Sequence, residues 1–172
     1  DLSLPALPAS VAEPTTAAPT QAELLHPDVH DWLLYNHDYR SQRYSALAQI
    51  NSANAPTMAA VCALQIGSTG SFESGPIIYH GIAYVTTPRT VQAFDAATCE
   101  RSWTYTYTPS GSESLPTNRG VALYEGRLFR GTTDGHLLAL DAATGKLLWD
   151  ARVADSSAGF FLSAAPIAVD GR

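Results

Sequence analysis

The chain has 172 residues and a formal net charge of −6, which makes it mildly acidic. It has no basic run and no patch of interleaved arginine and aromatic side chains, so a nucleic-acid partner is not expected. No apolar stretch approaches the roughly 20 residues that a membrane-spanning helix needs. Two cysteines without a Cys-x-x-Cys motif favour a single disulfide and an oxidising compartment.

The N-terminal segment is poor in the large apolar side chains that build a core. Residues 1–20 are rich in Pro, Ala, Thr and Ser, and residues 21–25 are compatible with a short helical turn before His26-Pro27. We therefore predict a tail over residues 1–25, either loosely draped or used as a docking arm. The sequence begins with Asp1 instead of methionine, which fits a chain whose export signal has been removed. It fits equally a sequence that was cut at this residue for another reason.

The next segment, residues 31–54, is unusually dense in aromatic and amide groups. Trp32 stands near its start, Arg-Tyr-Ser follows at residues 43–45, and Gln-Ile-Asn stands at residues 49–51. This density distinguishes the segment from the tail before it.

The rest of the chain repeats itself. Residues 91–103 read VQAFDAATCERSW and residues 137–149 read LLALDAATGKLLW, so that their aspartates and their tryptophans are both 46 residues apart. A leading strand precedes each copy and recurs a third time, beginning at Gly75, Gly120 and Ala165 with a spacing of 45 residues. The regular spacing predicts a repeat of one structural unit.

The second copy shows how one unit folds. Residues 127–132 alternate as a strand does, Asp134-Gly135 is a strong signal for a two-residue hairpin turn, and residues 136–140 form a more apolar strand. Residues 141–145 turn the chain again, and residues 146–150 return as a further strand. Together with the leading strand, each unit is an antiparallel meander of four strands.

Four-stranded units of roughly 40 to 50 residues are typical of β-propeller blades, which bury their faces on neighbouring blades around an axis. The predicted fold class is all-β, with two complete blades and the first strand of a third within residues 26–172. A closed propeller needs about four to eight blades. We therefore expect the chain to be the N-terminal part of a longer protein, or one polypeptide of an assembly that supplies the missing blades.

Polar residues stand in register at the start of each leading strand. Glu73, Arg119 and Ser163 precede the first residue of that strand by one or two positions. Propeller ligands usually bind at the mouth of the central channel, which the loops before these strands face. A carboxylate, a guanidinium and a hydroxyl together suit a polar ligand with carboxylates and carbonyl oxygens. For each residue taken alone, a loop charge or a cap is the alternative.

Residues 31–54 and the repeats together resemble the secreted quinoprotein alcohol dehydrogenases, whose cofactor is pyrroloquinoline quinone (PQQ). The resemblance rests on Trp32, on the Arg-Tyr-Ser and Gln-Ile-Asn triplets with Leu47 and Asn54, and on the blade pattern of alanine, aspartate, threonine-glycine and tryptophan. It runs from about Trp32 to Arg172 and implies a propeller of about eight blades.

The resemblance gives the three registered residues a role. Residues 72–76 resemble the family's cofactor-binding glutamate motif, residues 118–120 its arginine motif, and residues 163–166 a motif in which threonine is usual. The resemblance therefore implies that the glutamate, the arginine and the serine hold PQQ. Many members carry two adjacent cysteines shortly before the arginine, whereas this chain has Glu113 and Ser114, which places it among members without that vicinal disulfide.

The resemblance also pairs the two cysteines. In the family, the segment after the asparagines is the outer strand of the last blade, here residues 58–66, and it usually carries a tryptophan that stacks on a turn of the first blade. This chain has Cys62 near that tryptophan position and Cys99 where the second blade has Gly145. A Cys62–Cys99 disulfide between last and first blades is implied, worth roughly 3 to 4 kcal/mol. Two buried free thiols are the alternative.

The activity implied by the resemblance is oxidation of primary or secondary alcohols or sugar alcohols in the periplasm, with hydride passing to PQQ and electrons leaving to a cytochrome c. The family's calcium or lanthanide ligands and its catalytic aspartate lie beyond Arg172, so no catalytic or metal-binding residue is expected in this chain. A non-catalytic periplasmic propeller that presents its loops to other proteins is the alternative. It accounts for the repeats, but not for residues 31–54 or for the registered polar residues.

Overall fold

The structure is a computed structural model that describes residue 16 and residues 18–68, 70, 72–113 and 115–172. Most of the predicted tail, residues 1–15 and 17, lies outside the described residues, as do residues 69, 71 and 114. None of the helices in the described part of the chain has the length and apolar character of a membrane span.

Almost all of the regular secondary structure of the described residues lies in two sheets. Each sheet has four antiparallel strands that pair in chain order, and the two sheets follow each other along the sequence. The elements are the helix α1 (Gln21–Leu25), the first sheet with β1 (Ile77–Tyr79), β2 (Ile82–Thr86), β3 (Thr90–Asp95) and β4 (Arg101–Thr106), the second sheet with β5 (Ala122–Tyr124), β6 (Arg127–Gly131), β7 (His136–Asp141) and β8 (Leu147–Arg152), and 3₁₀ turns at Ala55–Thr57 and Ser156–Ala158. The two meanders confirm the two predicted blades.

Two kinds of turn explain where the chain reverses. The β5–β6 hairpin turns through Glu125 and Gly126, which are left-handed with φ values of 46° and 74°, as a two-residue type I′ turn requires. Between β7 and β8, the Asp141 carboxylate accepts hydrogen bonds from the amides of Ala143 and Thr144 at 3.0 and 2.8 Å. Gly145 closes that turn with φ 72°, a conformation that glycine adopts without strain.

Two predicted strands are not part of either sheet. Residues 58–66, predicted as an outer strand, and residues 165–171, predicted as the leading strand of a third blade, contain no regular strand. A strand is defined by hydrogen bonds to a neighbour, and neither segment has a neighbouring strand among the described residues. The predicted strand at residues 146–150 begins one residue later and extends further, at Leu147–Arg152.

The main core lies between the two sheets. Ile77 and Val91 of the first sheet belong to one apolar cluster with Leu128 and Leu140 of the second sheet. All four side chains are fully buried. Burial of one such side chain contributes about 1.5–3 kcal/mol, so the packing of one blade on the next is a main source of stability.

Trp103 of β4 docks the first blade on the second. Its ring is so close to Gly145 that a Cβ atom there would lie 2.5 Å from it, and its indole N–H donates to the Ala142 carbonyl at 3.2 Å. The Tyr84 hydroxyl donates to the same carbonyl at 3.3 Å, and burial raises the pKa of Tyr84 to about 12. The tryptophan therefore acts in blade packing.

Residues 58–66 are fixed to the first blade by covalent and hydrogen bonds. Cys62 and Cys99 form a disulfide with their Cα atoms 5.8 Å apart, which is the pair that the family resemblance implies. Cys99 has φ 60° and so takes the left-handed turn position that Gly145 takes in the second blade. The Ile66 carbonyl accepts a hydrogen bond from Nε2 of Gln92 at 2.8 Å. Nη2 of Arg101 on β4 also donates to the Gln65 carbonyl at 3.1 Å, so the first blade holds this segment at three points.

Candidate functional site

The structure brings Glu73, Arg119 and Ser163 together. Nη2 of Arg119 lies 2.8 Å from Oε2 of Glu73, and Nη1 of Arg119 donates to Oγ of Ser163 at 2.8 Å. One guanidinium therefore bridges the segments that lead into three successive repeats. We call these three residues the mouth cluster.

Backbone hydrogen bonds hold these three leading segments side by side. The Gly75 amide donates to the Arg119 carbonyl at 3.0 Å, and the Arg119 amide donates to the Ser163 carbonyl at 2.9 Å. Each segment contacts the next at nearly the same point of its repeat, directly before the inner strand. This ladder explains why residues that are in register along the sequence become neighbours in space.

Asn118 fixes the backbone on both sides of the arginine. It is only 3% exposed; its Nδ2 donates to the Gly131 carbonyl at 2.9 Å, and its Oδ1 accepts a hydrogen bond from the Gly120 amide at 3.0 Å. Gly120 has φ 141°, and a Cβ atom there would lie 3.3 Å from the Gly75 carbonyl oxygen. The sequence motif contains both residues, but the burial that gives Asn118 its positioning role is visible only in the structure.

The mouth cluster is accessible to solvent. The Arg119 and Glu73 side chains are 38% and 40% exposed. A guanidinium has five N–H donors, and the contacts to Glu73 and Ser163 engage only part of that capacity. Arg119 can therefore donate to a carboxylate or carbonyl oxygen of a ligand while Glu73 holds it in place.

Sequence reasoning missed Tyr35, which lies beside the mouth cluster. A Cβ atom at Gly75 would lie 2.6 Å from the Tyr35 ring, and one at Gly120 would lie 3.6 Å from it. The Arg43 guanidinium is 5.7 Å from the centre of the same ring, within the range of a cation–π contact. The aromatic density of residues 31–54 is the available sequence signal, but it does not show which ring meets the glycines.

Glu113 stands where the family resemblance places a cysteine, and it contacts turns of both blades. Its carboxylate oxygens accept hydrogen bonds from both Nη atoms of Arg89 and from the Thr133 hydroxyl. The hydrogen bonds from Arg89 hold the pKa of Glu113 below its usual range, against the opposing effect of burial. An ion pair therefore holds the loop that leads to Arg119; the neighbouring Ser114 lies outside the described residues.

Asp134 anchors the start of the same loop. It accepts hydrogen bonds from the hydroxyls of Tyr107 and Thr132 and from the amides of Ser110 and Gly111, at distances of 2.7 to 3.2 Å. Burial alone would raise the pKa of Asp134, but these donors outweigh burial and lower the pKa to about 2. Asp134 is thus a structural anion that ties the loop to the β6–β7 turn.

Within the described ranges, no group of three or more His, Cys, Asp and Glu side chains is arranged to hold a metal ion. The metal site that the resemblance places beyond Arg172 stays a prediction. The roles of Glu73, Arg119 and Ser163 toward PQQ stay predictions too, although their donor and acceptor groups fit a ligand rich in carboxylates and carbonyls.

The geometry is that of a β-propeller segment, because successive four-stranded blades pack face to face and their polar groups meet where the inner strands begin. A family model described as PQQ, glucose/ethanol/alcohol dehydrogenase, β-propeller domain, matches residues 32–150. The chain belongs to this family of PQQ-dependent dehydrogenases. The match confirms the resemblance and the predicted fold class.

The chain is similar to curated proteins of the same family. It is 35% identical over 149 residues to the 1-butanol dehydrogenase (cytochrome c) of Thauera butanivorans. The aligned region covers 83% of this chain and 22% of that protein. It is 40% identical over 125 residues to the quinohemoprotein alcohol dehydrogenase of Comamonas testosteroni. That alignment covers 69% of this chain and 18% of that protein. The chain thus spans about a fifth of the length of these relatives.

Solved structures agree with this assignment. The chain is similar to a europium-containing methanol dehydrogenase with a TM-score of 0.79 and 32% identity, over 87% of this chain and 28% of that one. It is similar to the quinohemoprotein alcohol dehydrogenase of Comamonas testosteroni with a TM-score of 0.75 and 33% identity, over 90% of this chain and 26% of that one. Both likenesses support the propeller fold of the described residues.

Proposed function

We propose that this chain is part of a PQQ-dependent alcohol dehydrogenase, in which it supplies one side of the cofactor pocket. The observation that carries the proposal is the mouth cluster. Arg119 joins Glu73 and Ser163 at the start of three successive repeats and remains accessible to a ligand. Membership of the PQQ family supports the choice of cofactor.

Each side chain of the mouth cluster has its own task in binding. Arg119 donates to a carboxylate or carbonyl oxygen, Ser163 adds a small hydroxyl donor, and Glu73 accepts a hydrogen bond while it holds the guanidinium. Asn118 keeps the arginine in place through its contacts to Gly120 and Gly131. When bound, PQQ supplies the acceptor for the hydride of an alcohol, and the residues of this chain bind and orient it.

The remaining machinery is assigned to residues beyond Arg172. These would hold a calcium or lanthanide ion, provide an aspartate that takes the alcohol proton, and pass electrons to a cytochrome c in the periplasm. The names of two similar proteins support the metal ion and the electron acceptor. One is a lanthanide-dependent methanol dehydrogenase from Methylacidiphilum fumariolicum, and the other is the 1-butanol dehydrogenase (cytochrome c). The proposed substrates are primary and secondary alcohols and sugar alcohols.

The same proposal covers the domain organisation. Residues 26–172 form the N-terminal part of a single propeller domain whose other blades come from the same chain or from another. The packing of the two blades on each other and the small share of the relatives' length that the chain covers support a single, incomplete propeller. Leu24 is buried beside Tyr79 and Tyr124, so the last residues of the predicted tail pack on this domain too.

Isothermal titration of PQQ with calcium into the full-length protein, prepared without cofactor, tests the proposal. Arg119→Ala removes the central donor, and loss of hydrogen bonds from a charged group weakens binding by about 1.5–3 kcal/mol, or roughly 10- to 150-fold in Kd. Arg152→Ala is the matched control, because this arginine is exposed on β8 and pairs with Asp155 outside the mouth cluster. It should leave Kd unchanged.

Two results would contradict the proposal. If the unaltered protein does not bind PQQ, a non-catalytic propeller becomes the better account. If Arg119→Ala binds PQQ as tightly as the unaltered protein does, the cofactor binds somewhere other than the mouth cluster.

A further inference from the structure

The turns at the other ends of the inner strands show a regularity that the mouth cluster does not explain. They are the first hairpin turns of the three repeats, at His80-Gly81, Glu125-Gly126 and Asp170-Gly171, and both residues of each turn are left-handed. The hydrogen bond of such a turn joins its outer residues, so the amide of the first central residue has no partner inside the turn. Each repeat therefore presents this backbone donor at the same place, and in the second turn the Gly126 amide also donates, to the Ala18 carbonyl at 2.8 Å.

Each of these three amides donates to a residue near the N-terminus. The contacts run from His80 to Oδ1 of Asp31 at 2.8 Å, from Glu125 to the Pro19 carbonyl at 2.7 Å, and from Asp170 to Oε1 of Gln21 at 2.7 Å. The three donors occupy equivalent positions in the repeat, whereas the acceptors differ: a carboxylate, a main-chain carbonyl and the oxygen of a side-chain amide. One continuous segment, residues 18–39, thus reaches three repeats, and we call it the N-terminal strap.

The N-terminal strap also packs against all three repeats with its side chains. Leu24 is 1% exposed and belongs to an apolar cluster that Tyr79 of the first blade and Tyr124 of the second blade pack against. The Tyr39 hydroxyl donates to the Ala168 carbonyl of the third repeat at 2.6 Å. The strap is therefore bound to the first two blades by buried apolar surface and to all three repeats by hydrogen bonds.

Part of the strap lies along the innermost strand of the first blade. Trp32 and Ile78 exchange backbone hydrogen bonds of 2.8 and 2.9 Å, on the edge of β1 that does not pair with β2. This edge faces the axis, because β1 is the inner strand of its blade. From there Tyr35 reaches the glycines that follow Glu73 and Arg119. The strap thus extends from the far turns along the axis-facing edge of β1, up to the mouth cluster.

We propose that the N-terminal strap plugs the far end of the channel beside these three repeats, so that small molecules reach the mouth cluster only from the mouth. A molecule that enters from the far end would have to displace Tyr35 and separate the strap from the three turns. The proposal concerns residues 18–39 and does not depend on which ligand the mouth cluster binds.

Chemical labelling of a reporter cysteine in the full-length protein tests the plug. Ile78→Cys places the reporter in the cleft that Tyr35 also lines. In the double variant Gln21→Ala/Asp31→Ala, two of the three turn amides lose their acceptors, whereas the matched control Gln21→Glu/Asp31→Asn keeps a side-chain oxygen at both positions. We expect a maleimide to label the reporter roughly tenfold faster in the alanine variant, because two lost hydrogen bonds raise the population with an open strap.

Equal labelling rates in the alanine variant and its control would overturn the proposal. A second reporter, Tyr44→Cys, replaces a residue that is 67% exposed and lies outside the strap, so it should react equally fast in both backgrounds. If the alanine variant does not fold, amide hydrogen exchange of Gln21→Ala alone decides. Faster exchange at all three turns supports one cooperative strap, and faster exchange at Asp170 alone overturns it.

Discussion

The two blades share one sequence plan, yet they form the turn before their outer strand in different ways. In the second blade Gly145 takes the left-handed position, and Trp103 of the first blade packs on it. In the first blade Cys99 takes the same position and is bonded to Cys62. The position accepts a side chain where the neighbour is a sulfur atom but not where it is an indole ring. One turn can therefore form either a covalent junction, here with residues 58–66, or a non-covalent junction with the neighbouring blade.

The covalent junction should carry the largest effect. Cys62→Ala/Cys99→Ala releases a cross-link between residues that are 37 positions apart, and loop entropy predicts a loss of about 4 kcal/mol in the free energy of unfolding. Denaturant unfolding of the full-length protein measures this loss. Treatment with a reducing agent should destabilise the unaltered protein by a similar amount and leave the double variant unchanged. A variant as stable as the oxidised protein would show that the junction is held by packing alone.

The non-covalent junction is tested by Gly145→Ala. A left-handed alanine costs about 1–2 kcal/mol, and overpacking against the Trp103 ring adds about 1–3 kcal/mol, so we expect the free energy of unfolding to fall by about 3 kcal/mol. Gly81→Ala is the matched control, since Gly81 is also left-handed but a Cβ atom there would meet no neighbouring atom within 4 Å. Equal losses in the two variants would mean that the ring contact contributes nothing.

The blades also differ in the turn between their two middle strands, where Asp134-Gly135 in the second blade replaces Pro88-Arg89 in the first. The pKa of Asp134 is lowered from 3.8 to about 2 in the folded protein. The ionised carboxylate of Asp134 therefore adds about 2 kcal/mol to the free energy of unfolding. This addition is complete above about pH 4, where the carboxylate is ionised in both the folded and the unfolded chain, and it is lost as the pH falls toward 2. Urea unfolding of the full-length protein across this range should show a steeper acid loss for the unaltered protein than for Asp134→Asn. Parallel curves would contradict the assignment.

The ion pair between Arg89 and Glu113 should give the smallest effect. The Arg89 side chain is 46% exposed, and solvent weakens such a pair to about 1 kcal/mol or less. Arg89→Ala should lower the free energy of unfolding by that amount at low salt and by less at high salt. Arg89→Lys keeps the charge without the two-pronged contact and should restore only part of the loss. A loss that does not depend on salt would point to packing instead of charge.

The repeat explains why much of the fold and the mouth cluster could be predicted from the sequence. A constant spacing makes equal positions in successive repeats neighbours in space, and so the sequence alone predicts that Glu73, Arg119 and Ser163 lie together, as they do in the structure. The Asp134-Gly135 dipeptide likewise predicted the reversal between β6 and β7, which the structure confirms. The predicted two-residue turn is wrong, because Thr132 pairs with His136 across a three-residue loop in which only Gly135 is left-handed.

Features that break the repeat could not be predicted in this way. The acceptors of the N-terminal strap, Asp31, Pro19 and Gln21, share no residue type, because a backbone amide can donate to any oxygen that is near it. Tyr35 is one of several aromatic side chains in its segment, and only the course of the backbone selects it. For residues 58–66 the family resemblance implies a strand, but strand formation depends on a partner outside the segment.

The backbone hydrogen bonds that join the leading segments beside the mouth cluster bear on how many blades such a protein can have. Arg119 donates its amide hydrogen to the following repeat and accepts one from the preceding repeat, so the contact is head-to-tail. Head-to-tail contacts can be continued without limit, and they close into a ring only when the rotation between units divides the full circle. The ladder therefore does not determine the number of blades. A repeat could be duplicated or deleted without any new residue in these backbone hydrogen bonds, provided that the angle at which the blades pack is adjusted.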